Sequence, residues 1–133
     1  ERVADTAGRI LVNTVENGTG RAVRFDRPVA GKTGTTDSNA AVWFNGFTPD
    51  VAAAVWVGDP RGGFRYPLRN LVINGEYVVA GFGSTLAGPV FRESMIAAHQ
   101  DLPYRGFDFN AASANYYQQS TRPRSSSSSN DDD

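Results

Sequence analysis

The chain has 133 residues, a formal net charge of −1 and 40% apolar residues, which fits one ordinary domain or a piece of a larger one. The near-neutral charge argues against a nucleic-acid partner, and the absence of cysteine excludes disulfides and thiolate metal sites. His99 is the single histidine, so a cage of several histidines is excluded too, and we expect neither a metal ion nor a cofactor. His99 itself is expected to be a cation near the end of a helix.

Membrane and export signals are not evident in the sequence. The longest apolar run, residues 51–57, is far too short to span a bilayer, which takes roughly 20 residues. The first ten residues, ERVADTAGRI, lack the basic head and apolar centre of a signal peptide and have the character of a cut end. We therefore expect any membrane anchor to lie outside these residues.

The first predicted element is an amphipathic helix over residues 5–18. Asp5 suits the N-cap, and Gly18 suits the left-handed residue that commonly ends a helix. Five residues at helical spacing form its predicted buried face: Ala7, Ile10, Leu11, Thr14 and Val15.

Three strands are predicted next, over residues 29–36, 41–48 and 51–58. Residues 36–39 supply turn chemistry after the first strand, and residues 49–50 join the second strand to the third. The second and third strands carry apolar side chains on both faces, so we expect the sheet to be covered on both sides.

A glycine-rich excursion follows the third strand, over residues 59–83. Within it, Asn74 and Gly75 separate two β-prone runs and predict a small hairpin with a type I′ turn. We expect this hairpin to be structural.

A second helix is predicted over residues 88–100, and the sequence turns polar beyond it. We therefore assign residues 1–110 to the folded domain and residues 111–133 to a disordered tail. The predicted buried stripe of the helix consists of Phe91, Met95 and Ala98.

The chain contains one lysine, Lys32, while twelve arginines carry the rest of the positive charge. Lys32 lies in the first predicted strand, within VAGKTGTTDSN. Taken alone, the triplet K-T-G is equally consistent with an exposed edge lysine that discourages strand aggregation, with Gly34 as a bulge.

The sequence around the triplet favours a chemical role. K-T-G is one of three short elements of the serine acyltransferases, with S-x-x-K and S-x-N as the others. Together with VENGTG upstream, AVWFNGFTPDVAAAVWVGD and GPVFRESM, in that order, it resembles the C-terminal part of the transpeptidase domain of a class A penicillin-binding protein. The resemblance covers roughly residues 3–109; the tail and the excursion add nothing to it.

The resemblance implies an α+β fold, namely a fragment of a penicillin-binding-protein/serine β-lactamase-like domain with an antiparallel sheet flanked by helices. It also implies a peptidoglycan D,D-transpeptidase at the extracytoplasmic face of the bacterial membrane. Its ligands would be stem peptides that end in D-Ala-D-Ala, and β-lactams that mimic them.

The resemblance further implies roles for four residues of the first strand. Lys32 would offer positive charge to the substrate's carboxylate and a hydrogen bond to the S-x-N serine, which relays a proton. Thr33 and Thr35 would bind the carboxylate through their hydroxyls, and the backbone N–H of Thr35 would be one of two oxyanion-hole donors. Gly34 would keep the strand edge bare, so that the peptide can approach it.

The nucleophile is missing from the chain. S-x-x-K needs a serine three positions before a lysine, and the residue three before Lys32 is Val29. S-x-N occurs at residues 113–115 and 128–130, but in the family this element precedes K-T-G, so we attribute both occurrences to chance. We expect the remainder of the transpeptidase domain, as a second chain or a missing N-terminal part, to supply both elements.

Two other functions remain open on the sequence. The same strand would serve a D,D-carboxypeptidase or a β-lactamase-like hydrolase, in which water replaces the acceptor amine. A non-catalytic module that binds a peptide or a β-lactam would leave the lysine without a catalytic role.

Overall fold

The computed structural model describes residues 2–109. The predicted tail at 111–133 and both S-x-N patterns lie outside the described residues. Within the described range, none of the helices combines the length and the apolarity that a bilayer crossing requires.

The described residues form an α+β fold, as predicted from the sequence. β1, β2 and β3 pair in that order into an antiparallel sheet, while β4 and β5 form a separate two-stranded hairpin. The elements, in chain order, are α1 (Arg2–Asn17), β1 (Ala30–Thr35), β2 (Ala41–Phe47), β3 (Ala52–Gly58), β4 (Arg69–Ile73), β5 (Glu76–Ala80) and α2 (Gly88–Ala98).

The three-stranded sheet has one buried and one exposed face among the described residues. Along β2, Val42 and Phe44 are buried, whereas Trp43 and Asn45 are exposed. Helix α2 covers the buried face and packs Phe91 against Phe44 with ring centroids 4.7 Å apart. The alternation of buried and exposed side chains along β2 determines which face of the sheet joins the core.

The prediction that the sheet is covered on both sides is wrong for the described residues. Trp43 and Trp56 are cross-strand partners on the uncovered face, and their side chains are 38% and 47% exposed. Ala52 and Ala54, also on this face, are exposed as well. Apolar residues are common on protein surfaces, so apolar strand faces alone do not establish cover.

Helix α1 begins earlier than predicted and buries a narrower face. Asp5 lies inside its first turn rather than at the N-cap. Val15 is buried as predicted, but Ala7 and Ile10 are exposed, so the predicted face is wrong at these two positions. With Val3, they line an open apolar groove on the outside of the helix.

The hairpin forms at the predicted turn. Asn74 and Gly75 have φ angles of 52° and 85°, and a type I′ turn requires positive φ at both central residues. The hairpin has its own pairing register, which includes Val72 opposite Tyr77.

Helix α2 buries Phe91 and Met95, but Ala98 is exposed, so the predicted stripe is wrong at its last position. His99 lies at the helix end as predicted, and its side chain is buried. Its Nδ1 lies 2.7 Å from the Met95 carbonyl and its Nε2 lies 2.8 Å from the Thr48 hydroxyl. Because a carbonyl can only accept, the Nδ1–Met95 hydrogen bond is donated by the ring.

Candidate functional site

The K-T-G residues lie on β1, at the edge of the three-stranded sheet. Among the described strands, β1 pairs only with β2, so its second edge has no strand partner there. Such an edge presents backbone donors and acceptors that can receive another extended chain.

The hydrogen-bond pattern identifies which backbone groups point outward from this edge. The Thr36 N–H donates to the Ala41 carbonyl at 3.0 Å, which makes that pair a hydrogen-bonded one. In an antiparallel ladder, bonded and non-bonded pairs alternate, so the Thr35–Val42 pair is non-bonded. The N–H and C=O groups of Thr35, and of Thr33 two residues earlier, therefore point away from β2.

Lys32 is exposed and reaches the open edge. Its Nζ donates to the Thr33 carbonyl at 2.9 Å, one of the outward-pointing groups. In the register Lys32 lies opposite Asn45, so its side chain leaves the sheet on the uncovered face. The ammonium group thus lies beside both the edge and the exposed surface.

Gly34 lies opposite Trp43. A Cβ atom at Gly34 would stand 3.3 Å from the Trp43 Cβ, which is a tight contact. Glycine therefore lets the strand run close to the tryptophan and leaves no side chain beside the edge at this position.

Thr33 and Thr35 share the other face of β1, since strand residues two apart point the same way. The Thr33 hydroxyl lies 3.1 Å from the hydroxyl of Thr19, in the loop that follows α1. The four predicted site residues are thus consecutive along β1, with Lys32 and Thr35 exposed and the two residues between them half-buried. Thr19 joins them from a different element.

Two further residues hold this strand in place. A Cβ at Gly83, in the single π-helical turn Gly83–Ala87, would stand 2.3 Å from the Trp43 carbonyl and 3.0 Å from the Thr33 Cβ. Gly83 therefore lets this turn pack directly against the K-T-G strand. No periodic pattern in the sequence indicates that contact.

Asn39 ties the turn after β1 to the hairpin. It is 8% exposed and has a φ of 56°. Its Nδ2 donates to the Gly81 carbonyl at 2.8 Å, and its Oδ1 accepts from Arg69 Nε at 2.9 Å. Its own carbonyl accepts from the Leu68 N–H at 2.8 Å. Asparagine tolerates positive φ better than most residues, and this is the one sequence signal that could have identified it.

The site contains no metal-binding cluster within the described range. Residues 2–109 hold no group of three or more histidine, aspartate or glutamate side chains that could bind a metal ion.

Several curated proteins named penicillin-binding protein 1A are similar to the chain. That of Neisseria lactamica is 34% identical over 121 residues, which cover 84% of this chain and 13% of that protein. That of Clostridium perfringens strain 13 is 34% identical over 100 residues, covering 74% of this chain and 13% of that protein. That of Clostridium acetobutylicum is 56% identical over 45 residues, or 33% of this chain and 6% of that protein.

No protein-family model matches the chain. The chain spans no more than about an eighth of the length of the relatives named above, so it corresponds to a short segment of them. The predicted resemblance is confirmed by the relatives that match most of the chain. The chain therefore belongs to the penicillin-binding protein family.

Proposed function

We propose that the chain is the K-T-G-bearing segment of a peptidoglycan D,D-transpeptidase that works outside the cytoplasm. The observation that carries this proposal is the open edge of β1, with outward N–H and C=O groups on Thr33 and Thr35 and the single lysine beside them. Peptides commonly bind such an edge as an added strand, through main-chain hydrogen bonds. A stem peptide ending in D-Ala-D-Ala has the extended backbone that this mode requires.

In this proposal the described residues bind and polarise the substrate. Lys32 and the hydroxyls of Thr33 and Thr35 hold the terminal carboxylate. The Thr35 N–H donates to the carbonyl oxygen under attack, and one such donor typically contributes on the order of 100- to 1000-fold in rate. Gly34 leaves the edge free of a side chain.

The bond changes involve a serine outside this chain. Its hydroxyl attacks the carbonyl of the penultimate D-Ala, forming an ester while the amide bond to the terminal D-Ala breaks. The serine proton passes through the relay that includes Lys32 and the S-x-N serine to the departing amine. An acceptor amine then attacks the ester, forms the new amide and returns a proton to the serine.

The portion that carries the serine needs a surface to pack against, and the described residues leave two apolar surfaces open. One is the sheet face that bears Trp43 and Trp56. The other is the groove on α1 of about 480 Å³, lined by Val3, Thr6, Ala7 and Ile10. Lys32 projects from the same sheet face as the tryptophans, so a serine delivered there would lie beside its ammonium group.

The test is intact-mass analysis of the assembled protein after treatment with penicillin. We expect a penicilloyl adduct on the portion that carries S-x-x-K and none on this chain. Lys32→Ala should reduce acylation severely without unfolding the protein, because the side chain is exposed. Arg65→Ala, which removes an exposed cation from the excursion, is the matched control and should leave acylation unchanged.

Three outcomes would contradict the proposal. An adduct on this chain would mean that the nucleophile is not an S-x-x-K serine, because the chain has no such element. Unchanged acylation in Lys32→Ala would favour a binding module in which the lysine is incidental. Release of D-Ala without a cross-linked product would favour a carboxypeptidase or another hydrolase.

A further inference from the structure

The loop between α1 and β1 delivers a hydroxyl to the K-T-G strand that the motif does not include. Thr19 Oγ1 lies 3.1 Å from Thr33 Oγ1, across a separation of fourteen residues in the sequence. Thr19 is exposed and Thr33 is half-buried, so neither residue is sealed in the core.

The position of Thr19 is fixed by the glycines on either side of it. The N–H groups of Gly18 and Gly20 both donate to the Thr14 carbonyl, at 3.1 and 3.0 Å. A Cβ at Gly20 would stand 3.1 Å from the Val15 Cα, so the loop is packed closely on the helix. Since backbone hydrogen bonds hold its neighbours, Thr19 reaches Thr33 from a defined place.

The pair of hydroxyls suits an anionic oxygen. Each threonine hydroxyl can donate one hydrogen bond and accept two. Two hydroxyl oxygens 3.1 Å apart can both donate to one carboxylate oxygen, or Thr19 can donate to Thr33 while Thr33 donates to the ligand. The two bonds donated to the Thr14 carbonyl also reduce the negative partial charge that a helix C-terminus would present to an anion.

We propose that Thr19 is a further substrate-binding residue, which acts with Thr33 on the terminal carboxylate of the stem peptide and on the equivalent carboxylate of a penicillin. This inference rests on the proposed function, because it assumes that the ligand lies along β1. The α1–β1 loop thereby takes part in binding the carboxylate, in addition to the K-T-G residues.

The experiment compares acylation of the assembled protein by benzylpenicillin and by its methyl ester, which lacks the negative charge. Thr19→Val keeps the shape of the side chain and removes its hydroxyl. We expect the ratio of the acid rate constant to the ester rate constant to fall at least about tenfold, the lower end of the range for losing one hydrogen bond to a charged group. Thr19→Ser restores the hydroxyl and should recover most of the ratio.

Ser94→Ala is the control, because it removes an exposed side-chain hydroxyl from α2 and leaves the α1–β1 loop unchanged. It should leave the ratio unchanged. The same ratio for wild type and Thr19→Val would overturn this inference and leave the proposed function standing. That includes the case in which the acid and ester rate constants fall by the same factor. A wild-type protein that neither reagent acylates would overturn the proposed function and this inference with it.

Discussion

Asp59 and Arg61 close the turn that leads out of β3. Asp59 Oδ1 accepts from the backbone N–H and from Nε of Arg61, and Oδ2 accepts from Nη2 at 2.7 Å. These hydrogen bonds favour the ionised carboxylate, and they lower the pKa of Asp59 from its ordinary value of 3.8 to about 2. The guanidinium also stacks over Tyr66, with Cζ 4.1 Å from the ring centroid, which holds it in place.

We predict that Arg61→Ala raises the pKa of Asp59 back toward 3.8, as measured by NMR titration of the carboxyl carbon. Since the folded pKa lies below the ordinary value, the ionised carboxylate stabilises the fold above about pH 4, and this contribution is lost as the pH falls toward 2. Arg65→Ala is the control, because Arg65 lies over the same tyrosine ring. If both variants shift the Asp59 pKa equally, the paired hydrogen bonds are not its cause.

The sequence points to the residues of the candidate site more directly than it points to their neighbours. Lys32 stands out because it is the single lysine and because its triplet belongs to a known set of elements. The proximity of Thr19 to Thr33 could not be predicted in the same way, since it depends on how α1 and its loop pack beside β1. Short motifs report local chemistry, whereas contacts between elements depend on tertiary structure.

At the scale of elements, Asn39 joins the hairpin to the strand that carries the site. Three hydrogen bonds, from its side chain and its carbonyl, connect the β1–β2 turn to the start of β4 and the end of β5. The hairpin forms no strand pair with the larger sheet. Asn39 is therefore a principal polar connection between the two.

We predict that Asn39→Gly destabilises the chain by about 2 kcal/mol more than Asn74→Gly, because it removes one buried and one partly buried side-chain hydrogen bond of about 1 kcal/mol each. Both residues have positive φ, 56° and 52°, so the backbone consequences of glycine are matched. Urea unfolding measures the difference, and amide exchange should show faster exchange at the Gly81 N–H in Asn39→Gly. Equal free energies of unfolding for the two variants would show that the side chain of Asn39 does not hold the hairpin.

Strand and turn positions followed from the sequence because the chemistry there is local. The alternation along β2 and the Asn74-Gly75 pair both act within a few residues. The exposure of this face of α1 could not be predicted from the sequence, because Ala7 and Ile10 are apolar whether or not another element covers them. Amphipathic spacing predicts a face that favours burial, and it does not say which part of the protein buries it.

At the scale of the whole molecule, the proposed function would account both for the open surfaces and for the absence of an S-x-x-K element from the sequence. The sheet face with Trp43 and Trp56 and the groove on α1 are apolar, and the described residues leave both uncovered. Exposed apolar surface of this kind commonly marks an interface. The relatives are many times longer than this chain, so they contain additional polypeptide that could cover such surfaces.

We predict that the two tryptophans become shielded when the portion bearing S-x-x-K and S-x-N joins this chain. Trp43 and Trp56 are the chain's two tryptophans, so 5-fluorotryptophan incorporated into this chain alone reports on the uncovered face. On mixing, both ¹⁹F resonances should shift, and their sensitivity to exchange of H₂O for D₂O should fall. Trp43→Phe and Trp56→Phe assign the two signals, and 4-fluorophenylalanine at Phe44, already buried against Phe91, gives a reference that should change little. If assembly restores acylation while both tryptophans stay accessible, the serine-bearing portion packs elsewhere. Lys32 would then project from a face of the sheet that the nucleophile does not contact.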